Sequence, residues 1–375
     1  MGKKLKICVL ASLIPPDHVG GTEIGAQTFS EYFSKSHEVY LVAKHDPGKK
    51  EKDKINGVNI VRVKAPMSFP FLRFFFYLRG FVKALEEIKP DVIYVRDLSL
   101  PAYAAAFYNK SSGTPFFVQL EGSDILWPNR LMKHTLNKMV ARRVFRFLSA
   151  TKEMTEIVKK EYGRDDTVLT KNPVDTKSFR DAKPIRLNMQ GPVIMFIGRL
   201  DENKGCRIIL ESFQSVSKEV PEANLVIIGE GPLKGEFEER YEQDKRIHFF
   251  GKQPHEKIKN FLKSADVFVL PSINEAQGVI LGEAVSAGKP IVASKLPGIA
   301  EYLGDKNGLL ATPGDPHDLA RKIVSLMRNK NLMKKMSSEN FKKSLSIDFQ
   351  QVGREYIKLF REAIKWSTRK KIKRI

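Results

Sequence analysis

The sequence predicts an α/β protein built from two doubly wound parallel-sheet domains. The chain has 375 residues, enough for two domains at roughly 100–200 residues each. In both halves short apolar runs alternate with longer amphipathic stretches, a pattern typical of βαβ units whose parallel sheet is covered on both faces. A polar stretch over 172–191, punctuated by Asn172-Pro173 and Gly191-Pro192, separates the two series.

The first half contains the elements of one such domain. The opening run Lys6–Leu13 follows a basic end but lacks the length and the cleavage site of a signal peptide, so we interpret it as a buried strand. The predicted strands are 6–13, 38–43, 58–63, 91–96, 115–120 and 148–151. The predicted helices are 23–35, 71–88, 100–110, 130–147 and 152–162.

The second half repeats the alternation and then becomes helical. Its predicted strands are 192–197, 223–228, 247–250, 266–270 and 290–294. Segment 315–366 has the pattern of helices without strands, and the strongly basic tail 365–375 is typical of a solvated end.

Composition narrows the class of protein. With 64 basic and 43 acidic residues the net charge is +21, which favours anionic partners. The excess is spread over both halves and no basic stripe interleaved with aromatics is visible, so nucleic acid is not a predicted partner. Two distant cysteines, Cys8 and Cys206, exclude a disulfide framework and a four-ligand zinc site. No apolar run reaches about 18 residues, and we expect a cytoplasmic protein.

Ligands of open α/β sheets bind beyond the carboxyl ends of the strands. The first such loop carries Gly20-Gly21 before a helix, where backbone N–H groups can approach an anion; a plain tight turn is the alternative. A second glycine pair, Gly229-Glu230-Gly231, lacks the third glycine of a dinucleotide-binding turn. A nicotinamide site is therefore not predicted there.

The strongest group of motifs lies in the second half. After strand 192–197 the chain places Arg199 and Lys204 five residues apart, and such cations can hold phosphate oxygens. After strand 266–270 come Glu275, Gly278 at a helix start, and Glu283 within that helix. Free N–H groups around Gly278 could meet a phosphate or sugar oxygen, and Glu283 could accept bonds from a ribose diol. The alternatives are a surface charge pair and two solvated helix-end glutamates.

Five motifs in chain order resemble one enzyme family. They are Gly20-Gly21, Asn172-Pro-Val-Asp175, Gly198-Arg199 with Lys204-Gly205, Gly229-Glu-Gly-Pro232, and Glu275-x7-Glu283. This set resembles the retaining glycosyltransferases of family 4, in its glycogen-synthase-like and mannosyltransferase-like group. The resemblance implies the GT-B fold, two Rossmann-like domains facing a central cleft. It implies an acceptor domain over 1–175, onto which a helix at about 347–366 packs back, and a donor domain over 190–346.

The resemblance also implies roles for single residues. Arg199 and Lys204 would bind the donor diphosphate, Glu275 the donor sugar and Glu283 the ribose, while Gly21 would lie near the donor phosphates from the opposing domain. The implied donor-binding set is Gly21, Arg199, Lys204, Gly278, Val279 and Glu283. The implied catalytic set is Glu275, Arg199 and Lys204, and to it we add Glu121 as a candidate from a position where this chain departs from the family. No Asp-x-Asp occurs, and we expect cations and a helix N-terminus to stabilise the leaving group without a divalent metal or other cofactor.

Glu121 departs from the family pattern. It stands in Gln119-Leu-Glu-Gly-Ser-Asp124 where the family commonly has a histidine before the glycine. An anion near a diphosphate is unfavourable unless it is protonated or offset by a cation. Glu121 could stabilise an oxocarbenium ion or bind an acceptor hydroxyl, with Asp124 a weaker candidate; a salt-bridged loop residue is the alternative. Ala276 also replaces a frequent family glycine.

The aromatic segment 69–81 has two interpretations. It is either a core helix packed on the first sheet, or a face at the membrane interface with Arg73, Arg79 and Lys83 near lipid headgroups. Lipid-linked acceptors are common in the family, so peripheral association with an anionic membrane surface on its cytoplasmic side is the second interpretation.

Together these observations predict a hexosyltransferase that moves a sugar, with retention, from a nucleotide-diphosphate-sugar donor to a glycan, lipid-linked or small-molecule acceptor. The expected base-recognition site is the backbone near 251–253. A nucleotide-sugar epimerase or hydrolase on the same fold is one alternative. A basic nucleic-acid-binding protein, suggested only by the net charge, is the other.

Overall fold

The computed structural model describes residues 3–14, 21–45, 48–65, 72–122 and 131–372, without the side chains of 131–133 and 370–372. The chain divides into two compact units. Unit 1 comprises residues 1–171 and 352–375, and unit 2 comprises residues 172–351. Each unit has its own sheet and its own buried core.

Unit 1 is an eight-stranded sheet with helices on both faces. Its strands are β1 Lys6–Leu10, β2 Glu38–Lys44, β3 Lys52–Ile55, β4 Val58–Val63, β5 Val92–Val95, β6 Phe116–Leu120, β7 Arg146–Ser149 and β8 Val168–Leu169. Its first helices are α1 Gly21–Ser34, α2 Arg73–Ile88, α3 Leu100–Ser112, α4 Leu131–Arg143 and α5 Lys152–Tyr162. The strand order is β3-β4-β2-β1-β5-β6-β7-β8, and every neighbouring pair is parallel except β3 with β4.

Several elements of unit 1 differ from the prediction. Strand β8 was not predicted, because it is only two residues long. Strand β3 was not predicted, because Lys52–Ile55 is exposed along its whole length and shows no apolar alternation. It forms because Asn56 and Gly57, at φ 49° and 83°, make a tight hairpin turn onto β4. The predicted helix 130–147 is too long at its C-terminus, since α4 ends at Arg143 and β7 begins at Arg146.

Unit 2 is a six-stranded parallel sheet. Its strands are β9 Val193–Ile197, β10 Asn224–Ile228, β11 Ile247–Phe249, β12 Val267–Leu270, β13 Ile291–Ser294 and β14 Leu309–Ala311, in the order β11-β10-β9-β12-β13-β14. Its helices are α6 Thr176–Arg180, α7 Cys206–Glu219, α8 Lys234–Arg240, α9 His255–Ser264, α10 Val279–Ser286, α11 Pro297–Leu303, α12 Pro316–Arg328 and α13 Lys330–Ser344. Strand β14 was not predicted, because it is only three residues long.

The last helix, α14 Phe349–Ile372, belongs to unit 1 from Val352 onward. Tyr356 and Phe360 contact the rings of Phe29 and Tyr94. Burial of such aromatic side chains is a large apolar contribution to the core. Among the helices in the described part of the chain, none combines the length and the apolar character that a membrane-spanning helix requires.

Strand order fixes where each sheet presents its loops. In unit 1 the chain leaves β1 toward β2 on one side, whereas β5 lies on the other; in unit 2, β9 has β10 and β12 as its neighbours. The order reverses at these central strands, and crevices at such points bind ligands in doubly wound sheets. We therefore expect ligand-binding residues in the loops after β9 and β12 in unit 2, and in the loops after β1, β5 and β6 in unit 1.

Candidate functional site

The loop after β9 is shaped by a local cap and by a glycine. The Asp201 carboxylate accepts the backbone N–H of Lys204 at 2.9 Å and caps a single 3₁₀ turn, Glu202–Lys204. Gly205 follows at φ 71°, and a Cβ there would stand 1.9 Å from the Pro271 carbonyl oxygen. Only glycine permits this approach. The loops after β9 and β12 therefore lie directly against each other.

This contact brings two predicted residues together. The Lys204 ammonium donates to the Glu275 carboxylate in an ion pair; the Glu275 side chain is largely buried, whereas 32% of the Lys204 side chain is exposed. The Ile273 N–H donates to the Asn203 carbonyl at 2.8 Å and ties the same two loops through their backbones. The structure thus joins a cation and a carboxylate that are 71 residues apart in sequence.

Arg199 has a different partner. Its Nε donates to Asp201 Oδ2 at 2.5 Å, while 69% of its side chain stays exposed. Asp201, which sequence reasoning missed, therefore serves both predicted cations: it caps the backbone at Lys204 and orients the Arg199 side chain. Its position two residues after a strand-end arginine is the sequence signal that marks it.

The loop that follows Glu275 leads into α10. Gly278 precedes the helix at φ 81°, and a Cβ there would stand 3.4 Å from the Glu275 carboxyl carbon. The Asn172 amide donates to Gln277 Oε1 at 3.1 Å and fixes the loop. The first N–H groups of α10, beginning at Val279, have no acceptor within the helix and carry partial positive charge. They start four residues after Glu275, the carboxylate that Lys204 holds.

Glu283 lies in the second turn of α10 and is only 5% exposed. Its Oε1 accepts a hydrogen bond from His255 Nε2 at 2.7 Å. The alternative of a solvated helix-end glutamate is therefore wrong for Glu283. Sequence reasoning missed His255, whose only local signal is its place directly after Pro254 at the start of α9.

The glycines at 229 and 231 serve packing in unit 2. A Cβ on Gly229 would stand 1.8 Å from the Gly198 carbonyl oxygen, and one on Gly231 would stand 2.3 Å from the Leu200 carbonyl oxygen. The Gly229 N–H also donates to the Gly251 carbonyl at 2.9 Å. The loop after β10 thus connects the loop after β9 with the segment 251–253, where we expect base recognition.

In unit 1 the predicted residue Glu121 follows β6 and pairs with a buried arginine. Glu121 Oε1 is 2.6 Å from Arg96 Nη2, and Arg96, at the end of β5, is 3% exposed. Arg96 Nη1 also donates to the Tyr94 hydroxyl at 3.0 Å. Burial opposes the charge on Arg96, but Glu121 and Tyr94 outweigh it and raise the Arg96 pKa above its ordinary value. The cation that a carboxylate at this place requires is thus supplied from within the unit.

The other predicted residues of unit 1 are Gly20, Gly21 and Asp124. Gly21 is the exposed first residue of α1, whose fifth residue, Gly25, leaves room for the Arg96 guanidinium. Gly20 and Asp124 lie outside the described residues. Asp97, next to Arg96, accepts from the hydroxyls of Ser99 at 2.6 Å and Ser12 at 3.3 Å, and burial raises its pKa.

The aromatic segment contributes both to the core and to the surface. Residues 69–71 lie outside the described part, and α2 buries Phe81 and Leu85. At its N-terminal end Phe75 is 63% exposed, and Leu72 and Phe76 are exposed beside it. Arg79 and Lys83 are exposed farther along the same helix, and Phe107 of α3 is exposed as well. The buried end of α2 agrees with the core interpretation, and contact of its exposed end with a membrane stays a prediction.

A metal site would require several His, Cys, Asp or Glu side chains close together. In the described ranges, no three His, Cys, Asp or Glu side chains are grouped as they would be around a metal ion. Cys8 and Cys206 are both buried free thiols, and burial raises the pKa of Cys206 to about 12. Neither thiol is suited to act as a nucleophile near neutral pH.

Two family models match the chain, one for each half. The model described as "Glycosyltransferase Family 4" matches residues 19–178, and the model described as "Glycosyl transferases group 1" matches residues 178–343. Together they extend over residues 19–343 without a gap. The predicted recognition of a family 4 glycosyltransferase is confirmed.

The sequence identity to individual relatives is low, but the alignments are long. The sulfoquinovosyl transferase SQD2 of Arabidopsis thaliana is 24% identical over 361 residues, covering 88% of this chain and 68% of that protein. The phosphatidylinositol N-acetylglucosaminyltransferase GPI3 subunit of Saccharomyces cerevisiae is 27% identical over 248 residues, covering 63% of this chain. The match spans 53% of the GPI3 subunit, about half of its length.

Solved structures share the fold over nearly the full length. Sucrose-phosphate synthase from Thermosynechococcus elongatus aligns with a TM-score of 0.81 at 16% identity, covering 96% of this chain and 99% of that one. HepE of Anabaena, solved in complex with UDP-glucose, aligns with a TM-score of 0.77 at 18% identity, covering 96% of this chain and all of that one. The predicted fold class, two Rossmann-like parallel-sheet domains of the GT-B type, is confirmed.

Proposed function

The chain belongs to the glycosyltransferases of the family 4 type, and from that premise we propose that it transfers a hexose from a nucleoside-diphosphate-sugar donor to an acceptor hydroxyl with retention. One observation carries the proposal: Lys204 and Glu275 meet beside the start of α10, whose second turn holds the buried Glu283. The UDP-glucose complex of HepE, a protein of the same fold, supports a nucleotide-sugar donor.

Unit 2 would hold the donor along this edge of its sheet. We assign Glu283 to the ribose diol, because a buried carboxylate that keeps a free oxygen can accept two hydroxyl hydrogens. We propose that the diphosphate binds to Arg199, Lys204 and the N–H groups at Gly278 and Val279. An exposed guanidinium and a helix N-terminus are both suited to phosphate oxygens.

The proposed reaction forms one bond and breaks one bond at the anomeric carbon. The acceptor oxygen bonds to that carbon on the face from which the diphosphate oxygen departs, and the electron pair of the broken bond stays on the diphosphate. The acceptor proton passes to a phosphate oxygen of the leaving group, so no second carboxylate is needed as a base. Lys204 and Arg199 stabilise the charge that develops there, and Glu275 contacts the sugar. We propose that no divalent metal is required.

The acceptor side is assigned to unit 1. Glu121 follows β6 with its charge offset by Arg96, so it can accept a hydrogen bond from an acceptor hydroxyl without an unpaired buried anion. We propose that Gly21, at the first turn of α1, also contacts the donor phosphates. Glu121→Gln should lower turnover more than donor affinity, whereas unchanged turnover would leave Glu121 only its ion-pair role.

We further propose that unit 1 meets an anionic membrane surface on its cytoplasmic side, where a lipid-linked acceptor would be found. The exposed phenylalanines of α2, with Arg79 and Lys83 on the same helix, supply apolar and basic groups for such contact. The name of the GPI3 subunit indicates a lipid acceptor for that relative.

Calorimetry with matched variants tests the donor site. A thermal-shift panel of UDP, GDP and ADP sugars first selects the donor. Lys204→Ala and Glu283→Ala should then abolish or greatly weaken its binding, whereas Lys342→Ala and Glu339→Ala, from an exposed ion pair on α13, should not. Unchanged donor affinity in both site variants would overturn the assignment. Sugar release at the same rate with and without an acceptor would favour the hydrolase alternative.

A further inference from the structure

His255 joins two parts of the proposed nucleoside site. It is the first residue of α9 and follows the segment 251–253, whereas its partner Glu283 belongs to α10. The two are linked by the 2.7 Å contact between His255 Nε2 and Glu283 Oε1. The histidine side chain is about one-third exposed, at 35%, and the glutamate side chain is 6% exposed. One side chain thus connects the expected base-recognition segment with the expected ribose carboxylate.

A buried carboxylate is costly unless it is paired and hydrogen-bonded. For Glu283 the partner is an imidazole, which can gain or lose its charge near neutral pH. The ribose end of the site therefore depends on a titrating group.

The surroundings of His255 determine when it is charged. Three charged side chains act on it: Glu283 from α10, and Glu256 and Lys259 from its own helix. Burial disfavours the imidazolium, and Lys259 adds to that effect, but the two glutamates outweigh both. The His255 pKa is accordingly raised above its ordinary value. The charged pair therefore persists to higher pH than it would with an unperturbed histidine, and it is lost as the pH rises further.

We propose that His255 is a positioning residue that holds the Glu283 carboxylate in place for the ribose diol, and that donor affinity therefore falls as the pH rises through neutrality. The proposal rests on the ribose role given to Glu283 above. It adds that His255 orients the Glu283 carboxylate. It also adds a pH dependence of donor affinity that arises only from binding of the nucleoside part.

The experiment uses the full chain and the nucleotide sugar selected by the thermal-shift panel of UDP, GDP and ADP sugars, because its doubly esterified diphosphate does not titrate near neutral pH. Calorimetry gives its dissociation constant at about pH 6 and about pH 8.5, on either side of the histidine range. For the wild type we expect weaker binding at the higher pH. His255→Gln keeps a hydrogen-bond donor without the titration, so its affinity should be nearly independent of pH. His255→Ala should bind about tenfold more weakly at low pH. His317→Gln, at an exposed histidine of α12, is the control and should retain the wild-type profile.

A 2′-deoxy form of the same nucleotide sugar separates positioning from general stability. If His255 acts through ribose recognition, the wild type should lose most of its pH dependence with this probe, and His255→Ala should bind it nearly as well as the wild type does. A merely structural role would leave both differences unchanged and would overturn the proposal.

The ribose role of Glu283 fails in a different way. If Glu283→Ala binds the unmodified nucleotide sugar as the wild type does, the proposed function of that residue is wrong. If Glu283→Ala weakens binding while both His255 variants keep wild-type affinity and its pH slope, the inference about His255 alone is overturned.

Discussion

Replacing Arg96 should destabilise unit 1 far more than its single ion pair suggests. The side chain is 3% exposed, and it serves both Glu121 and the Tyr94 hydroxyl. Arg96→Met keeps much of the volume but leaves the Glu121 carboxylate without its cation. Breaking a buried pair by removing one partner costs about 3–5 kcal/mol. For a domain the size of unit 1, each kcal/mol lowers the melting temperature by roughly 2–4 °C, so we expect a decrease of roughly 6–20 °C.

The chain offers its own reporter for this transition. Trp366 belongs to unit 1, where its ring packs against Phe145, so its fluorescence follows the unfolding of that unit. The double variant Arg96→Met/Glu121→Met should be more stable than Arg96→Met alone, since apolar replacement of both partners removes the unpaired charge. Lys52→Met, from an exposed ion pair with Glu87, should leave the midpoint unchanged. A single variant that melts within about 2 °C of the wild type, or a double variant less stable than the single one, would refute this reasoning.

Three further outcomes are expected. Lys204→Ala should lower turnover by about 10²–10³, as loss of one group that stabilises developing charge typically does; Lys342→Ala is the control, and equal rates would contradict the role. Turnover should persist after dialysis against a chelator, and a loss restored by Mg²⁺ would contradict the metal-free proposal. In flotation with phosphatidylglycerol-containing vesicles at low salt, replacing Phe75 and Phe76 by serine should release the protein, whereas serine at exposed Ile273 of unit 2 should not; a wild type that fails to float would refute membrane contact.

Much of the fold follows from the sequence because its central strands are buried on both faces. Strands β5, β9 and β12 are continuous apolar runs, β6 is apolar except for Gln119, and every residue of each is buried. The unpredicted strands lack this signal. Strand β3 lies at an edge and is wholly exposed, so its pairing with β4 depends on the hairpin turn rather than on an apolar pattern.

The site was predictable where function depends on spacing within one loop or helix. Glu275 and Glu283 belong to a single strand–loop–helix unit, so their separation in sequence determines their separation in space. The partners of these residues come from distant segments. The Arg96–Glu121 pair could have been found, since the two residues follow neighbouring parallel strands and such ends meet at one edge. His255 could not, because its helix follows the edge strand β11 and only tertiary packing brings it to α10.

These pairings change what the net charge of +21 implies for donor binding. The cations assigned to the diphosphate are not free charges: Lys204 is held by Glu275, and Arg199 by Asp201. Each carboxylate restricts its cation to one geometry before a ligand arrives, which lowers the ordering cost of binding. A diphosphate must then compete with these carboxylates, so affinity depends on whether it gives Lys204 and Arg199 a second acceptor without breaking the first contact. A general excess of surface lysines cannot distinguish a diphosphate from other anions, because such lysines attract any anion equally.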